Sequence, residues 1–260
     1  MKIFINIDDN KELAVKTRKD FINACEDLEI DITDTPEEAD IICSIGGDGT
    51  FLESSRLSNG SPTVGINCGT LGYLTDINPN DIGKTLEYLI KNKYYIEERM
   101  MLEGEIVKSN GKVIDIPPAL NDICISKNTF GVVRFDTIID GKLINSYTAD
   151  GIILCTPTGS TAYNLSCGGP IVDPTAHIIT LTPIAPHTVL DRSIILSDNS
   201  VIEIKITELR DNTSSYVLYD GRPIEVTTGE TVRIFKSNQL TKIIKFNWQS
   251  FIENIRNKIN

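Results

Sequence analysis

The chain has 260 residues, 40% hydrophobic and 23% charged, with a formal net charge of −11 at pH 7. That length fits one large domain or two modest ones, and the acidic balance argues against a nucleic-acid partner. No stretch approaches the length of a membrane span, so no membrane role is expected. Residues 1–9 read as a strand broken by acids rather than a signal peptide. Six scattered cysteines (Cys25, Cys43, Cys68, Cys124, Cys155, Cys167) form no Cys-x-x-Cys pair, and the only histidines are His177 and His187. This argues against zinc ligation and points to a reducing cytoplasm.

In chain order, Lys2–Ile7 reads as a strand and Lys11–Leu28 as a helix. Leu13, Val15, Phe21, Ile22, Cys25 and Leu28 supply much of its apolar face. Ile41–Ile45 and Thr63–Asn67 are further strands, and Asn78-Pro79 opens a helix through Leu86, Leu89 and Ile90. Alternating strands and helices imply a parallel sheet with crossover helices. Near Tyr94 the pattern changes. Strand runs follow at Val132–Ile139, Gly151–Cys155, Ile178–Thr182, Ser193–Leu196, Val201–Ile206, Ser215–Tyr219 and Thr231–Phe235. Turn signals at Asn110-Gly111, Asp140-Gly141, Asp220-Gly221 and Thr228-Gly229 separate strands. The tail returns to helix, with Trp248, Phe251, Ile252, Ile255 and Ile259 on one face. The expected organisation is an α/β domain with a parallel sheet over residues 1–93 and an all-β, sandwich-like domain over 94–240. A C-terminal segment, 241–260, is expected to pack its helix back on the first domain.

The chemistry concentrates in four segments. Gly46-Gly47-Asp48-Gly49-Thr50 directly follows the apolar run Ile41–Ile45 and precedes a helix. Strand, glycine turn and helix start together make a phosphate cradle, because glycine admits close backbone approach and the helix N-terminus offers N–H groups. A carboxylate inside such a cradle repels its own ligand, unless it holds Mg²⁺ or takes a proton from an attacking hydroxyl; both belong to phosphoryl transfer. A glycine-rich turn with a helix-capping Asp is the plainer alternative. A second glycine turn, Cys68-Gly69-Thr70-Leu71-Gly72, ends the next strand. Leu120-Asn121-Asp122 lies amid apolar strand sequence. In the fourth segment, Asp150–Val172, Pro157 and Gly159 break the strand ending at Cys155, and Ser160 or Thr161 looks like a helix N-cap. Tyr163 in the core of a capped helix is the plainer reading there. In so acidic a chain a phosphate ligand needs local help from backbone N–H groups, Mg²⁺ or a nearby base.

In order and spacing these four segments resemble the NAD kinase family, most specifically in Thr156-Pro157-Thr158-Gly159-Ser160-Thr161-Ala162-Tyr163. The resemblance spans most of the chain and implies an α/β domain followed by a β-sandwich domain. It implies a cytoplasmic phosphotransferase that uses ATP, with Mg²⁺ or another divalent cation, to phosphorylate the adenosine 2′-hydroxyl of NAD. By the same resemblance Asp48 is the general base, and Gly46, Gly47, Gly49 and Thr50 line the phosphates. Asn121 and Asp122 hold the adenosine part of NAD. Thr161, Ala162 and Tyr163 contact the adenine, Tyr163 as a stacking face, and Thr158 and Ser160 belong to the same binding block. Asp150 and Ser166 contact the nicotinamide half, partly across a subunit interface, which implies a homo-oligomer, dimer or tetramer. Two departures stand out. Many members carry Asn-Glu where this chain has Asn121-Asp122, one methylene shorter. Some bacterial members place a base shortly before the acid of the fourth segment, where this chain has Tyr147-Thr148-Ala149.

Two other functions share features of this sequence. Diacylglycerol and sphingosine lipid kinases carry the Gly-Gly-Asp-Gly-Thr loop but not the Thr156–Tyr163 block. A non-catalytic nucleotide-sensing module would keep the cradle but gains nothing from Asp48. The chain lacks a Walker A lysine and a Gly-x-Gly-x-x-Gly fingerprint, which argues against P-loop and hydride-transfer chemistry.

Overall fold

The computed structural model describes residues 1–69, 72–75, 77–128, 131–187, 190–209, 215–246, 251–252 and 255–256. The chain divides into two compact units, Met1–Glu98 with Thr241–Asn260, and Arg99–Leu240. Among the described residues no helix is long and apolar enough to cross a membrane.

The first unit opens β1 (Lys2–Ile7), α1 (Glu12–Asp27), β2 (Asp31–Thr33), β3 (Ile41–Gly46), α2 (Asp48–Leu57), β4 (Thr63–Asn67) and α3 (Ile82–Ile90). The strands lie in the order β2-β1-β3-β4, all parallel, and Ile243 pairs in parallel with Thr63 on the far side of β4. All six residues of β3 are buried, as a central parallel strand covered on both faces requires. The core gathers Ile3, Phe21, Ile45, Val64, Ile66, Leu86, Leu89 and Phe246. The buried face of α1 is Ala14, Thr17, Phe21 and Cys25, whereas Leu13, Val15 and Leu28 are exposed. The i, i+3, i+7, i+11 row therefore selects small Ala14 and Thr17 over the bulkier residues beside them. Asn78 and Pro79 open a short 3₁₀ turn, and the regular helix starts at Ile82. In the tail Phe251, Ile252, Ile255 and Arg256 are helical; Trp248 and Ile259 lie outside the described residues.

Among its described residues the second unit is strand and loop apart from the turns of the fourth segment. In order its elements are β5 (Tyr95–Val107), β6 (Val113–Ala119), β7 (Asp122–Lys127), β8 (Val133–Ile139), β9 (Lys142–Ala149), β10 (Gly151–Cys155), α4 (Tyr163–Ser166), β11 (Ile178–Ile184), β12 (Ile194–Ser197), β13 (Ile202–Leu209), β14 (Ser215–Tyr219), β15 (Arg222–Val226) and β16 (Thr231–Lys245), where the start of β5 and the end of β16 belong to the first unit. One sheet runs β12-β11-β10-β7-β14-β15, and another places β16, β13, β8 and β9 side by side, with β5 pairing β16 and β6. Inner residues of both sheets share one core, including Leu102, Ile123, Ile125, Phe135, Leu154, Leu181, Ile204 and Val217. Phe135 and Tyr147 stack within it at 5.5 Å between ring centroids. The turn signals sit where the sequence puts them: Asp140-Gly141 and Asp220-Gly221 both have positive φ at each residue, the requirement of a tight hairpin turn.

Candidate active site

In the first unit β3 ends at Gly46, and α2 begins at Asp48 with Gly47 as its N-cap. Asp48 is thus a first-turn residue and not a cap, and an acid there is favoured by the helix dipole. Its carboxylate is held by the segment that follows the second glycine turn. Oδ2 accepts from the Tyr73 N–H at 2.7 Å, and Oδ1 accepts from the N–H groups of Leu74 and Thr75 at 3.0 and 3.2 Å and from Thr75 Oγ1 at 3.2 Å. This approach is why position 72 is glycine: a Cβ there would collide with Asp48 Oδ1 and Thr75 Oγ1. Asp48 therefore ties the first glycine turn to Tyr73–Thr75, the residues that follow the second. A Cβ on Gly49 would meet nothing within 4 Å, and Gly49 is exposed, so the start of α2 is open on that side. Gly46 closes the other side, against the Thr50 side chain.

In the second unit the third and fourth segments meet at one end of the β7–β10 pair, where Asp122 stands opposite Cys155. Thr156 donates its N–H to the Asn121 carbonyl at 2.9 Å and its hydroxyl to the Leu120 carbonyl at 2.6 Å. Its Oγ1 also accepts from the Gly159 N–H at 3.1 Å. Gly159 packs directly on the Asn121 backbone, where a Cβ would collide. Asp220, in the β14–β15 hairpin, closes the arrangement. Its carboxylate accepts from the N–H groups of Leu120, Asn121 and Asp122 at 2.9, 2.8 and 3.4 Å. Asp122 is buried beside it. Burial first, and the neighbouring Asp220 charge second, push the Asp122 carboxyl up to about 7.

Within the fourth segment the residues divide. Thr158 and Ser160 are buried and engaged by the protein: Thr158 Oγ1 accepts from Arg99 at 3.1 Å, and Ser160 Oγ accepts from the Val172 N–H at 3.0 Å. Neither Ser160 nor Thr161 caps a helix. Residues 158–161 form a 3₁₀ turn, and the N-cap of α4 is Ala162, with no side-chain cap bond. The Ser160 hydroxyl is committed to Val172 instead. Tyr163, with 42% of its surface exposed, is not a core residue, and Ser166 is exposed as well. The Tyr163 phenol is pushed up to about 12, by burial first and then by Cys167, Cys124 and Asp150. Asp150 itself lies at the far end of β10 from Asp122, roughly 17 Å along the strand at ~3.4 Å per residue.

Sequence reasoning missed three groups. Asp220, a turn residue by its Asp-Gly pair, also accepts three backbone N–H bonds. Lys127 supplies the positive charge that Tyr147-Thr148-Ala149 do not: its Nζ lies 2.6 Å from Asp150 Oδ1, across the end of the strand pair. Lys11 reaches the glycine turns from the end of β1. Only the β7–β10 register would have exposed Lys127.

Two family models match the chain. One, for the ATP-NAD kinase N-terminal domain, covers residues 9–94, and one for the ATP-NAD kinase C-terminal domain covers residues 120–246. An NAD kinase of Ruminiclostridium cellulolyticum is 38% identical over 237 residues, which is 90% of this chain and 82% of that protein. The crystal structure of an NAD kinase from Archaeoglobus fulgidus in complex with ATP is similar at a TM-score of 0.79 and 26% identity, covering 100% of this chain and 97% of that one. Yeast NADH kinase complexed with NADH has the same fold, at a TM-score of 0.89 and 24% identity, covering 100% of this chain and 87% of that chain.

Proposed function

The chain belongs to the NAD kinase family, and from that membership we infer its reaction: the terminal phosphoryl group of ATP passes to the 2′-hydroxyl on the adenosine of NAD, giving NADP. The observation that carries the division of roles is the seat of Asp48. A carboxylate fixed by four protein donors at the open N-terminus of α2 has no capping task to perform. Among the described residues its Oδ2 accepts a single hydrogen bond, which leaves capacity for an acceptor hydroxyl and suits a general base. In the same reading Gly46, Gly47, Gly49 and Thr50, which lead into and open α2, offer the donor phosphates a helix N-terminus.

Asn121 and Asp122 take the ribose and adenine side of NAD in this reading. The fixed backbone of Leu120–Asp122 under Asp220 supports it, since a held strand end positions the two side chains. The exposed ring of Tyr163 suits stacking on adenine. Thr161 and Ala162, both partly exposed, flank it, whereas Thr158 and Ser160 serve as the frame of that surface. Asp150, paired with Lys127, and Ser166 take the nicotinamide half. A lipid acceptor gains nothing from the block Thr156–Tyr163, and neither matched domain is a lipid kinase domain.

A divalent cation belongs to the same proposal. Among the described residues no group of three or more His, Cys, Asp and Glu comes together to hold a metal ion. Mg²⁺ binds through one or two carboxylates plus substrate phosphates rather than a protein cage, so in this proposal the ATP phosphates are its main ligands. Bound there, the ion would neutralise charge on the donor phosphates. A reducing cytoplasm is part of the same proposal. The deciding assay couples NADP production from NAD and ATP to an NADP-specific dehydrogenase, with diacylglycerol as the contrasting acceptor. Absence of NADP, or phosphorylation of the lipid instead, overturns the reading.

A further inference from the structure

The parallel sheet of the first unit has the order β2-β1-β3-β4. The chain therefore leaves β1 toward one edge, returns, and continues from β3 toward the other. Between β1 and β3 the winding reverses, and in open α/β sheets ligands bind outside the carboxyl ends of the strands at such a reversal. The turn after β3 is the Gly46–Thr50 cradle. The turn after β1 runs from Asp8 to Lys11 and lies beside it, Asp8 donating its N–H to the Ile45 carbonyl at 3.1 Å, and it carries a cation.

Lys11 ends that turn. Its long side chain does not cap α1; it extends toward Gly47 and Gly69. The ammonium nitrogen lies 3.2 Å from where a Cβ on Gly47 would sit and 3.4 Å from where one on Gly69 would sit. It therefore stands between the first and second glycine turns, beside the N-terminus of α2. Gly47 has φ −115° and ψ −171°, an extended conformation open to any residue, and a Cβ there would meet only this ammonium within 4 Å. Neither backbone strain nor core packing accounts for glycine at that position; its bare backbone lets a ligand approach the loop closely beside the ammonium. The ammonium is paired with Asp8 Oδ2 at 3.3 Å, and the Lys11 side chain remains 40% exposed. It is therefore held in place and still reachable by a ligand.

We propose that Lys11 is a phosphate-binding residue for the donor: its ammonium takes the triphosphate of ATP against the backbone N–H groups of the Gly46–Thr50 turn. This rests on the reading of the chain as an ATP-dependent kinase. It answers a need set by composition, because in a chain of net charge −11 a polyphosphate must find its cation locally. The ammonium does here, from the end of β1, what the lysine of a Walker A loop does from within the loop. NAD also carries a diphosphate, but the position of Lys11 beside the N-terminus of α2 favours the donor.

The test compares wild type, Lys11→Met and Lys11→Arg in the full chain, by titration with ATP, NAD and adenosine and by steady-state kinetics. The exposed Asp8 pair contributes little to folding, so Lys11→Met should unfold within a few degrees of wild type. The expected result is a rise of about tenfold or more in the Kd and KM for ATP, the loss of one charge-assisted contact. Affinity for NAD and for adenosine should stay within about twofold, and Lys11→Arg should recover most of the ATP affinity. Direct titration keeps this apart from the reaction assignment: a wild-type chain that makes no NADP overturns the latter, yet its ATP affinity still reports on Lys11. Unchanged ATP affinity in Lys11→Met, equal losses for ATP and adenosine, or a loss confined to NAD each overturn the proposal.

Discussion

Asp48 shows how much one side chain can be asked to do. Its Oδ1 accepts three hydrogen bonds and its Oδ2 one, so the same carboxylate holds Tyr73–Thr75 and, in the proposed reaction, uses Oδ2 as the base. Asp48→Asn should lower kcat by roughly 10²–10⁴ while NAD affinity, read by calorimetry, stays near wild type. It should also cost about 1 kcal/mol of stability, because the amide offers one acceptor oxygen where two are used. Turnover near wild type would remove Asp48 from the mechanism. The acid stood out in the sequence because a carboxylate inside a glycine loop is costly beside an anionic ligand, although a first-turn acid also suits the helix dipole. Its partners did not, because Tyr73, Leu74 and Thr75 donate through backbone N–H groups that every residue but proline has. Asp122 is the second residue with a measurable signature. Its folded-state carboxyl is raised to about 7, so the native state binds the proton more tightly than the unfolded chain does. The stability this contributes is complete below the ordinary carboxylate range and is lost as pH rises through about 7. Asp122→Asn should therefore flatten the urea-unfolding profile between pH 4 and 8 and raise stability above pH 7 by on the order of 1 kcal/mol or more. In the wild type, NAD affinity should strengthen from pH 6 to 8, because ribose hydroxyls donate to the ionised form. A pH-independent difference between the two proteins would show that Asp122 does not titrate in this range.

At the scale of elements, the contact between the third and fourth segments hangs on Gly159. A Cβ there meets the carbonyl and Cα of Asn121, both backbone atoms in a strand end already bonded to Thr156 and Asp220, so neither side can yield cheaply. Gly159→Ala should destabilise the protein by about 1–3 kcal/mol and raise KM for NAD more than KM for ATP. Equal shifts in both, with the unfolding midpoint unchanged, would mean that the contact does not position the NAD side. Elements with a strong local signal were readable: β1, β4, β10 and β14 begin and end where their apolar runs do, and the hairpin turns sit on Asx-Gly pairs. Where tertiary context decides, reading failed. The α1 face went to Leu13 and Val15 on hydrophobicity, whereas packing chose Ala14 and Thr17. The strand begun at Thr231 runs on through polar Lys236-Ser237-Asn238-Gln239 to Lys245, a stretch whose strand character comes from its neighbours rather than from its own residues. Register was invisible altogether, and with it the Lys127–Asp150 pair.

At the scale of the whole molecule, charge and exposed apolar surface pull in opposite directions. The chain carries −11, which opposes self-association through repulsion. Yet the four residues of α4 expose Tyr163 and Leu165, and Leu143, Ile144 and Ile195 are also exposed in the second unit. The family resemblance sets Asp150 and Ser166 near a subunit contact. Ser166 is exposed on α4, and Asp150 is one-third exposed beside Lys127. A homo-oligomer built there would bury part of this surface and complete the nicotinamide side of the site with a second copy. Its assembly should then depend on salt. Near 0.15 M ionic strength the screening length is ~8 Å, and at 0.01 M it is ~30 Å, so like-charged subunits repel over a longer range in dilute buffer. Sedimentation velocity should accordingly show an oligomer at physiological salt and a growing monomer fraction as salt is lowered, with activity at fixed enzyme concentration falling alongside it. Replacing Leu165 with Glu should shift the same equilibrium toward monomer at physiological salt and lower affinity for NAD. With ATP seated, as proposed, on Lys11 and the Gly46–Thr50 turn of the first unit, its affinity should be unaffected. A monomer that retains full activity at assay concentrations would remove the second copy from the site.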